Sequence, residues 1–240
     1  MSAFDILIES YTSTTGIYWP LTDNAGTTTA TDASGNGNGL TMTSTTFGEP
    51  GLVPSDSETS ALFTGSSNGT SSYQPSSTYV TAGLICNFSV LPSSFTWALI
   101  NYDFGNHGLI LGINNNSSQL FPYFFCANGS SNAQPISSTV IASGHNILLV
   151  GVWDGTNVIL YQCDLTTGSS LVNTSLGLSG GTWSTASTWK TVGGGDNTAT
   201  VYMGRAFVLP VALTPTQVAG LRTAALVSIV NNQGLIPSLI

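Results

Sequence analysis

Charged side chains are scarce in this 240-residue sequence. They make up 6% of its residues, whereas an ordinary soluble domain has about 25%. The only basic residues besides histidine are Lys190, Arg205 and Arg222. Because nucleic-acid binders carry clustered Lys and Arg, this class of function is excluded. Eleven carboxylates leave a net charge of −8, so most surface polarity must come from Ser, Thr, Asn and Gly.

Cysteine is also rare, with Cys86, Cys126 and Cys163 each in an apolar run. An odd count without CxxC spacing argues against a disulfide framework and against a thiolate zinc site. We therefore predict three buried thiols that act as small hydrophobic side chains.

Long apolar runs are missing as well. None approaches the roughly 18 residues of a membrane span, and the first ten residues lack the basic segment with which a secretory signal begins. We expect no membrane partner and a protein that is made in a cytoplasm.

Hydrophobic residues nevertheless make up 41% of the chain and aromatic residues 10%, enough to favour a folded protein over a disordered one. Short apolar and β-branched runs alternate with Gly, Asn, Ser and Pro clusters, a spacing typical of an all-β sandwich rather than of βαβ units. The predicted strands are 17–21, 60–63, 79–90, 95–102, 109–113, 120–126, 147–153, 158–163 and 201–209. An Asp-Gly turn at 154–157 predicts a hairpin. The composition never shifts sharply, so we predict one domain, 1–240.

One helix is predicted near the end of the chain. Thr214 is the expected N-cap, Pro215 occupies the first helical position, and Gln217 completes a capping box. Apolar residues follow at helical spacing: Val218, Leu221, Ala225 and Leu226. This face is expected to pack on the sandwich.

Two stretches suggest a family. One is 16–27 (GIYWPLTDNAGT) with 31–39 (TDASGNGNG), and the other is 204–217 (GRAFVLPVALTPTQ). Together they resemble the opening and closing of a laminin G-like domain of the concanavalin A-like lectin/glucanase superfamily. The resemblance covers 11–225 and implies an antiparallel two-sheet jelly roll with one short C-terminal helix. Such domains look like those of bacteriophage structural proteins, which implies a location in the virion.

Catalysis is not expected. The glucanase branch of the superfamily places Glu-x-Asp-x-x-Glu on one strand, and none of Glu9, Glu49 and Glu58 has Asp two residues later. Asp56 and Glu58 form an i, i+2 pair, but they lie in a turn-rich connector. We interpret them as solvated loop carboxylates and predict that the protein is not an enzyme.

No cofactor is predicted, and calcium is the alternative that stays open. Relatives bind calcium through loop carboxylates, and here Asp23, Asp103, Asp154 and Asp196 lie beside Asn or Gly in predicted loops. Oxygen ligands suit Ca²⁺. However, no loop carries several carboxylates, and such residues favour turns for conformational reasons alone.

A lectin site is suggested by Asn-rich loops and nearby tryptophans. The candidate glycan residues are Asn114, Asn115, Asn116, Trp183 and Trp189. Sugars are held by amide hydrogen bonds and by apolar or aromatic contacts. The alternative is that both tryptophans pack inside the sandwich.

A role in assembly is suggested by the termini and by the missing lysines. Sheet proteins usually protect their edge strands with Lys and other charges, which one lysine cannot do. Phe4, Ile6 and Ile8 alternate as on a strand, and the chain ends in an apolar segment. The predicted assembly residues are Phe4, Ile6, Ile8, Leu235, Ile236, Leu239 and Ile240.

The terminal segments, 1–10 and 226–240, are accordingly expected to dock against a neighbouring subunit or another virion protein. A homo-oligomer is the simplest arrangement, with a trimer as the first model. The leading hypothesis is a capsid decoration (cement) protein or a tail or fibre component. The alternative is a carbohydrate-binding lectin or adhesin module, with host surface glycans as partners.

Overall fold

The computed structural model has sixteen strands and two helices among the residues that it describes. The described residues are 2–12, 15–54, 56–74, 78–90, 92–93, 96–102, 107–116, 119–178, 189–191 and 199–227. The helices are α1 (Ala3–Thr12) and α2 (Pro215–Leu226). The strands are β1 (Ile17–Trp19), β2 (Thr29–Ala30), β3 (Leu40–Thr43), β4 (Thr46–Glu49), β5 (Ser60–Thr64), β6 (Asn68–Ser71), β7 (Val80–Val90), β8 (Thr96–Tyr102), β9 (His107–Asn116), β10 (Gln119–Asn128), β11 (Asn132–Ala133), β12 (Ile147–Trp153), β13 (Asn157–Asp164), β14 (Val172–Gly177), β15 (Trp189–Thr191) and β16 (Thr200–Leu209).

The strands form two antiparallel sheets. The first has the order β14-β13-β12-β7-β16-β5-β4, with β1 also paired to β16. The second has the order β11-β10-β9-β8-β15-β6-β3-β2. Buried side chains of both sheets share one core, which includes Leu84 and Leu149 from the first sheet and Leu111 and Phe124 from the second. The predicted all-β, antiparallel two-sheet sandwich is confirmed.

Strand β12 shows why the first sheet is apolar on both faces. Side chains alternate across a strand, so Ile147 and Leu149 enter the core between the sheets, while Leu148 and Val150 join a second apolar cluster on the outer face. The helices cover that outer face, with Phe4 and Leu221 in the same cluster. Both faces of β12 are therefore shielded from water.

The predicted strand runs all coincide with strands of the structure. The run 109–113 is longer than predicted, because β9 continues to Asn116. The Asp-Gly hairpin is also confirmed: Asp154 N donates to Asn157 O at 3.2 Å, and Gly155 has a φ of 90°. Strands that the sequence did not reveal are mostly short, such as β2 and β11 with 2 residues each.

The turn at 31–39 is fixed to β1 by one carboxylate. Asp32 accepts hydrogen bonds from the backbone N–H groups of Tyr18, Ser34 and Asn38 at 3.2, 3.0 and 2.9 Å. The indole Nε1 of Trp19 donates to the carbonyl of Asn38 at 2.7 Å. The first strand and the turn that follows it therefore form one unit.

The C-terminal helix begins as predicted. Gln217 N donates to Thr214 Oγ1 at 3.3 Å, and Thr214 N donates to Gln217 Oε1 at 2.8 Å, which completes the capping box. Val218, Leu221 and Ala225 are its buried residues.

The first segment of the chain differs from the prediction. It is a helix, α1, and not a strand, so the expectation of a single helix was wrong. Phe4 and Ile8 are fully buried in this chain's own core, and Ile6 is 54% exposed. Phe4 and Ile8 stand four residues apart, on one face of a helix. They are therefore not available to dock against another subunit, as we had predicted for residues 1–10.

The C-terminal half of the assembly prediction is not tested. Its residues, Leu235, Ile236, Leu239 and Ile240, lie outside the described residues, as does the segment after Val227.

The three cysteines are buried and free, as predicted. Burial raises the pKa of Cys86 to about 12, so its thiol stays protonated at neutral pH. Across the described ranges, none of the helices has both the length and the apolarity that crossing a membrane requires.

Candidate functional site

Arg205 is the centre of a buried ionic cluster. It is 2% exposed, and its Nη2 donates to Asp56 Oδ2 at 2.9 Å and to Glu58 Oε2 at 3.2 Å. Its Nε lies 2.8 Å from Asp5 Oδ1, an ion pair in which the N–H is not aligned for a hydrogen bond. The hydroxyl of Tyr18 donates to the same oxygen of Asp5.

A backbone irregularity brings Arg205 to this position. The register of β16 against β7 shifts between Gly204 and Phe207, and Arg205 has a φ of 58°, a left-handed value that is rare for residues other than Gly. Such bulges re-aim a side chain. Burial acts to lower the pKa of the guanidinium, but the surrounding acidic groups outweigh it and raise that pKa, so the charge is retained.

The interpretation of Asp56 and Glu58 as solvated loop carboxylates was therefore wrong. Their side chains are only 10% and 29% exposed, and both are bound to Arg205. Outside the cluster lies a hollow of about 260 Å³ that also contacts Glu9 and Thr22. Since the carboxylates of Asp5 and Glu58 beside it are already bound to Arg205, we interpret this cluster as part of the fold and not as a ligand site.

A second cavity opens where β13 runs into the loop before β14. It is lined by Thr139, Val140, Gln162, Cys163, Asp164, Thr167, Ser169, Ser170 and Val172. We call it the β13 cleft. Its volume is about 240 Å³, somewhat below the roughly 300–1,000 Å³ of drug-sized ligand sites. Four lining residues carry a hydroxyl group and Gln162 carries an amide, while Val140 and Val172, 41% and 38% exposed, contribute apolar surface.

Gln162 is the unusual residue of this cleft. It is 2% exposed, and its Oε1 is buried without a hydrogen-bond partner among the described residues. A buried acceptor that stays unpaired costs about 1–3 kcal/mol. Such a group requires an explanation, because buried side-chain polar atoms usually have a partner.

The loop beside Gln162 is held in a fixed shape. Asp164 Oδ1 accepts from the N–H groups of Thr166 and Thr167 at 2.9 and 3.1 Å. From α2, Arg222 donates through Nε to Ser169 O at 2.8 Å and through Nη2 to Gly168 O at 2.7 Å. These bonds preform one wall of the cleft.

Asp164 carries the only charge of the cleft lining. Its Oδ2 lies 2.7 Å from His145 Nδ1. Burial acts to raise the pKa of Asp164, but the hydrogen bonds from His145 and Thr167 outweigh it and hold that pKa below its ordinary value. The lining itself therefore carries one negative charge at neutral pH, with the Arg222 guanidinium behind the wall formed by Gly168 and Ser169.

No family model and no curated protein matches this chain. Solved structures do. The binding domain of botulinum neurotoxin DC in complex with SialylT aligns with a TM-score of 0.66 at 11% identity, over 91% of this chain and 52% of that one. The same domain in complex with rat synaptotagmin II gives 0.65 at 13% identity, over 91% and 52%. This chain has a lectin-like β-sandwich fold.

A third match comes from botulinum neurotoxin type C, whose cell entry depends on interaction with two ganglioside molecules. Its TM-score is 0.64 at 12% identity, over 88% of this chain and 51% of that one. The chain thus spans about half the length of the solved structures it matches. At these identities the likeness shows the fold.

The predicted glycan residues do not meet at one place in the described structure. Asn114, Asn115 and Asn116 continue β9 and pair with β10, so they are not the loop we predicted. Ile113, the residue before Asn114, pairs with Thr96 at the start of β8. Trp189 is next to Lys190, which pairs with Ile100 nearer the end of β8. Trp183 lies outside the described residues.

The calcium alternative finds no site among the described residues, where no three His, Cys, Asp or Glu side chains converge to hold a metal. Asp23 accepts hydrogen bonds from Thr31, and Asp154 accepts from its own turn. Asp103 and Asp196 lie outside the described residues.

Sequence reasoning missed the β13 cleft, although a signal for it was present. Val158 and Leu160 alternate into the core between the sheets, and Gln162 is the next residue on that face. A polar side chain that takes an apolar position in a buried strand marks a site that needs a partner.

Proposed function

We propose that this protein is a non-enzymatic, carbohydrate-binding module of lectin-like fold, and that the β13 cleft is its sugar site. The observation that carries the proposal is Gln162, a buried amide whose oxygen has no donor among the described residues and which lines a cleft with four hydroxyl-bearing residues. Sugar hydroxyls are donors of the kind that this oxygen lacks. The neighbours named above, in complex with SialylT or dependent on gangliosides, support binding of a glycan.

The charges of the cleft favour a neutral sugar. Asp164 is the only ionisable carboxylate in the lining, and the chain as a whole carries −8. A sialic acid carboxylate would be repelled by both. Neutral hexoses or N-acetylhexosamines can instead set their C–H groups against Val140 and Val172 and their hydroxyls against Gln162. The small volume suits one terminal sugar ring.

The experiment is an array of neutral and sialylated oligosaccharides, followed by saturation-transfer NMR with the best neutral hit. We expect neutral glycans to bind better than their sialylated forms. Gln162→Met, which keeps the length of the side chain and removes the amide, should raise the Kd at least about tenfold. It should also raise the temperature of unfolding, because it removes a buried unpaired acceptor.

The matched control is Gln119→Met, which changes an exposed glutamine on another strand. It should alter neither binding nor stability. An array without any bound glycan would contradict the proposed function. A Gln162→Met protein that binds glycans as well as the wild type would show that the sugar does not bind in this cleft.

A structural role in a virion, as a decoration or fibre component of laminin G-like type, is our second proposal. It is supported by the scarcity of surface charge and by an exposed, uncharged edge strand, β14. Both sheets share one core, which supports a single domain over 1–240. Truncation at Gln233 tests whether the C-terminal residues attach the protein to the virion, because it removes Leu235, Ile236, Leu239 and Ile240. The shortened protein should melt cooperatively and no longer attach to particles. Unfolding of the truncated protein would contradict this.

A further inference from the structure

Among the described residues, strand β14 is an edge of the first sheet whose outer side pairs with no other strand. The other strands at the ends of the two described sheets are short or irregular: β2 and β11 have 2 residues each, and β4 has an irregular register with β5 and ends on Glu49. Strand β14 has 6 residues in continuous register with β13, without a charge or a proline. Edges of this kind are templates for pairing with another strand.

The backbone groups that point away from the sheet can be assigned. Leu178 N donates to Thr156 O at 2.9 Å, next to the end of the ladder. Bonding residues alternate in an antiparallel pair, so Val172, Thr174 and Leu176 bond to β13. The N–H and C=O groups of Asn173, Ser175 and Gly177 therefore point outwards, and all three residues are exposed.

Apolar side chains lie along the same edge. Leu176 stands opposite Val158, and Val172 stands opposite Gln162, on the face of β13 that enters the core. They are nevertheless 48% and 38% exposed. A strand added beside β14 would pack against Leu176 and extend the core between the sheets.

The charge pattern permits a second copy as the partner. Two copies of a protein with net charge −8 repel each other at long range, but 165–178 contains no charged residue, so the edge itself adds no like charges at the contact. The edge is also self-complementary. A two-fold axis at Ser175 places Ser175 opposite Ser175 of the second copy and Asn173 opposite Gly177 of the second copy, with no like charges facing each other.

We propose that β14 pairs antiparallel with β14 of a second copy of this chain, so that the first sheets of two copies join into one. The three outward-pointing residues of each strand then exchange six hydrogen bonds across the seam, two for each facing pair. Val172 lies on β14 and also lines the β13 cleft. The dimer therefore carries its two clefts close to the seam, on the same face of the joined sheet. The pairing does not depend on sugar binding.

The test is analytical ultracentrifugation of the full chain over a dilution series, with three variants. Ser175→Lys places two lysines opposite each other at the two-fold axis and should raise the dimer dissociation constant at least about tenfold without lowering the temperature of unfolding. Ser175→Ala keeps the backbone and should stay dimeric. Thr216→Lys adds the same charge to an exposed position of α2 and should also stay dimeric.

Hydrogen exchange gives a reading that needs no variant. The amide of Ser175 points away from β13, so it exchanges fast in a monomer and should be protected in proportion to the dimer fraction. A wild-type protein that is monomeric throughout the series would overturn the proposal. An oligomer that survives Ser175→Lys, or a Ser175 amide that exchanges fast in the oligomer, would overturn it equally.

Discussion

Arg205 and Asp5 connect strand β16 to helix α1, with Nε of the arginine 2.8 Å from Oδ1 of the aspartate. Their side chains are 2% and 4% exposed. Asp5 at the same time caps α1, because its Oδ2 accepts from Ser2 N at 2.7 Å. A single carboxylate thus begins the first helix and binds it to the bulge of β16. Buried charges stabilise a fold only while their partners are in place.

Removing the cation should therefore be costly. We expect Arg205→Met to lower the free energy of unfolding by about 3–5 kcal/mol, because it leaves Asp5, Asp56 and Glu58 close together without a counter-charge. Urea denaturation measures the change. The control is Arg222→Met, which removes the same group from a less buried position and should cost about 1 kcal/mol. Equal losses in the two variants would show that the Arg205 cluster contributes no more to the free energy of unfolding than the hydrogen bonds of Arg222.

The sequence held the signals for α1, but a competing pattern hid them. Phe4, Ile6 and Ile8 stand at alternate positions, as on a strand, although Leu7 between them is apolar as well. Phe4 and Ile8 are also one helical turn apart, and Ser2-x-x-Asp5 is a capping box. The structure uses the helical pattern: Asp5 N donates to Ser2 Oγ at 3.1 Å. Local signals for α2 were not contradicted by alternation, and that helix was predicted correctly.

The Arg205 cluster could not be predicted in the same way. Its members come from α1, from the connector at 56–58 and from β16, so no local spacing relates them. The bulge that turns Arg205 inwards depends on how β16 pairs with β7. By contrast, the sandwich follows from local alternation, which is why the strands were predicted and the contacts of Asp56 and Glu58 were not.

The capping box of α2 offers a second prediction. Thr214→Ala should lower the free energy of unfolding by about 1 kcal/mol, because Thr214 Oγ1 accepts the N–H of Gln217. Thr216→Ala is the matched control, since Thr216 is exposed in the first turn of the same helix. It should change stability by less than about 0.5 kcal/mol. A control that destabilises as much as Thr214→Ala would refute the role of the cap.

Asp164 provides a prediction about pH. Its pKa in the folded protein is lowered, so its contribution to stability is present above the ordinary Asp pKa of about 3.9 and is lost as the pH falls through the lowered value. Asp164→Asn should therefore be less stable than the wild type at neutral pH, by under about 1 kcal/mol because the side chain is partly exposed. Urea denaturation at several pH values should show the difference shrinking below about pH 4. A difference that grows on acidification would contradict the assignment.

Gly151 allows the closest test of how the two sheets pack. It lies in the middle of β12, and a Cβ built on it would stand 2.3 Å from Cδ2 and 2.4 Å from Cγ of Phe124, which faces it from β10. Phe124 is fully buried, so its ring cannot move aside without disturbing the core that both sheets share. Overpacking of this kind typically costs 1–3 kcal/mol, and we expect Gly151→Ala to reach at least about 2 kcal/mol. Gly177→Ala, in β14, is the matched control.

A Cβ on Gly177 meets nothing within 4 Å, and alanine in place of a strand glycine reduces the entropy of the unfolded chain. Gly177→Ala should therefore leave the free energy of unfolding unchanged or raise it slightly, and it keeps the N–H group that β14 offers to a second copy. Both variants add the same methyl group to a glycine in a strand of the same sheet, so only the space around it differs. If Gly151→Ala were as stable as Gly177→Ala, β12 and β10 could not be as close as the structure places them.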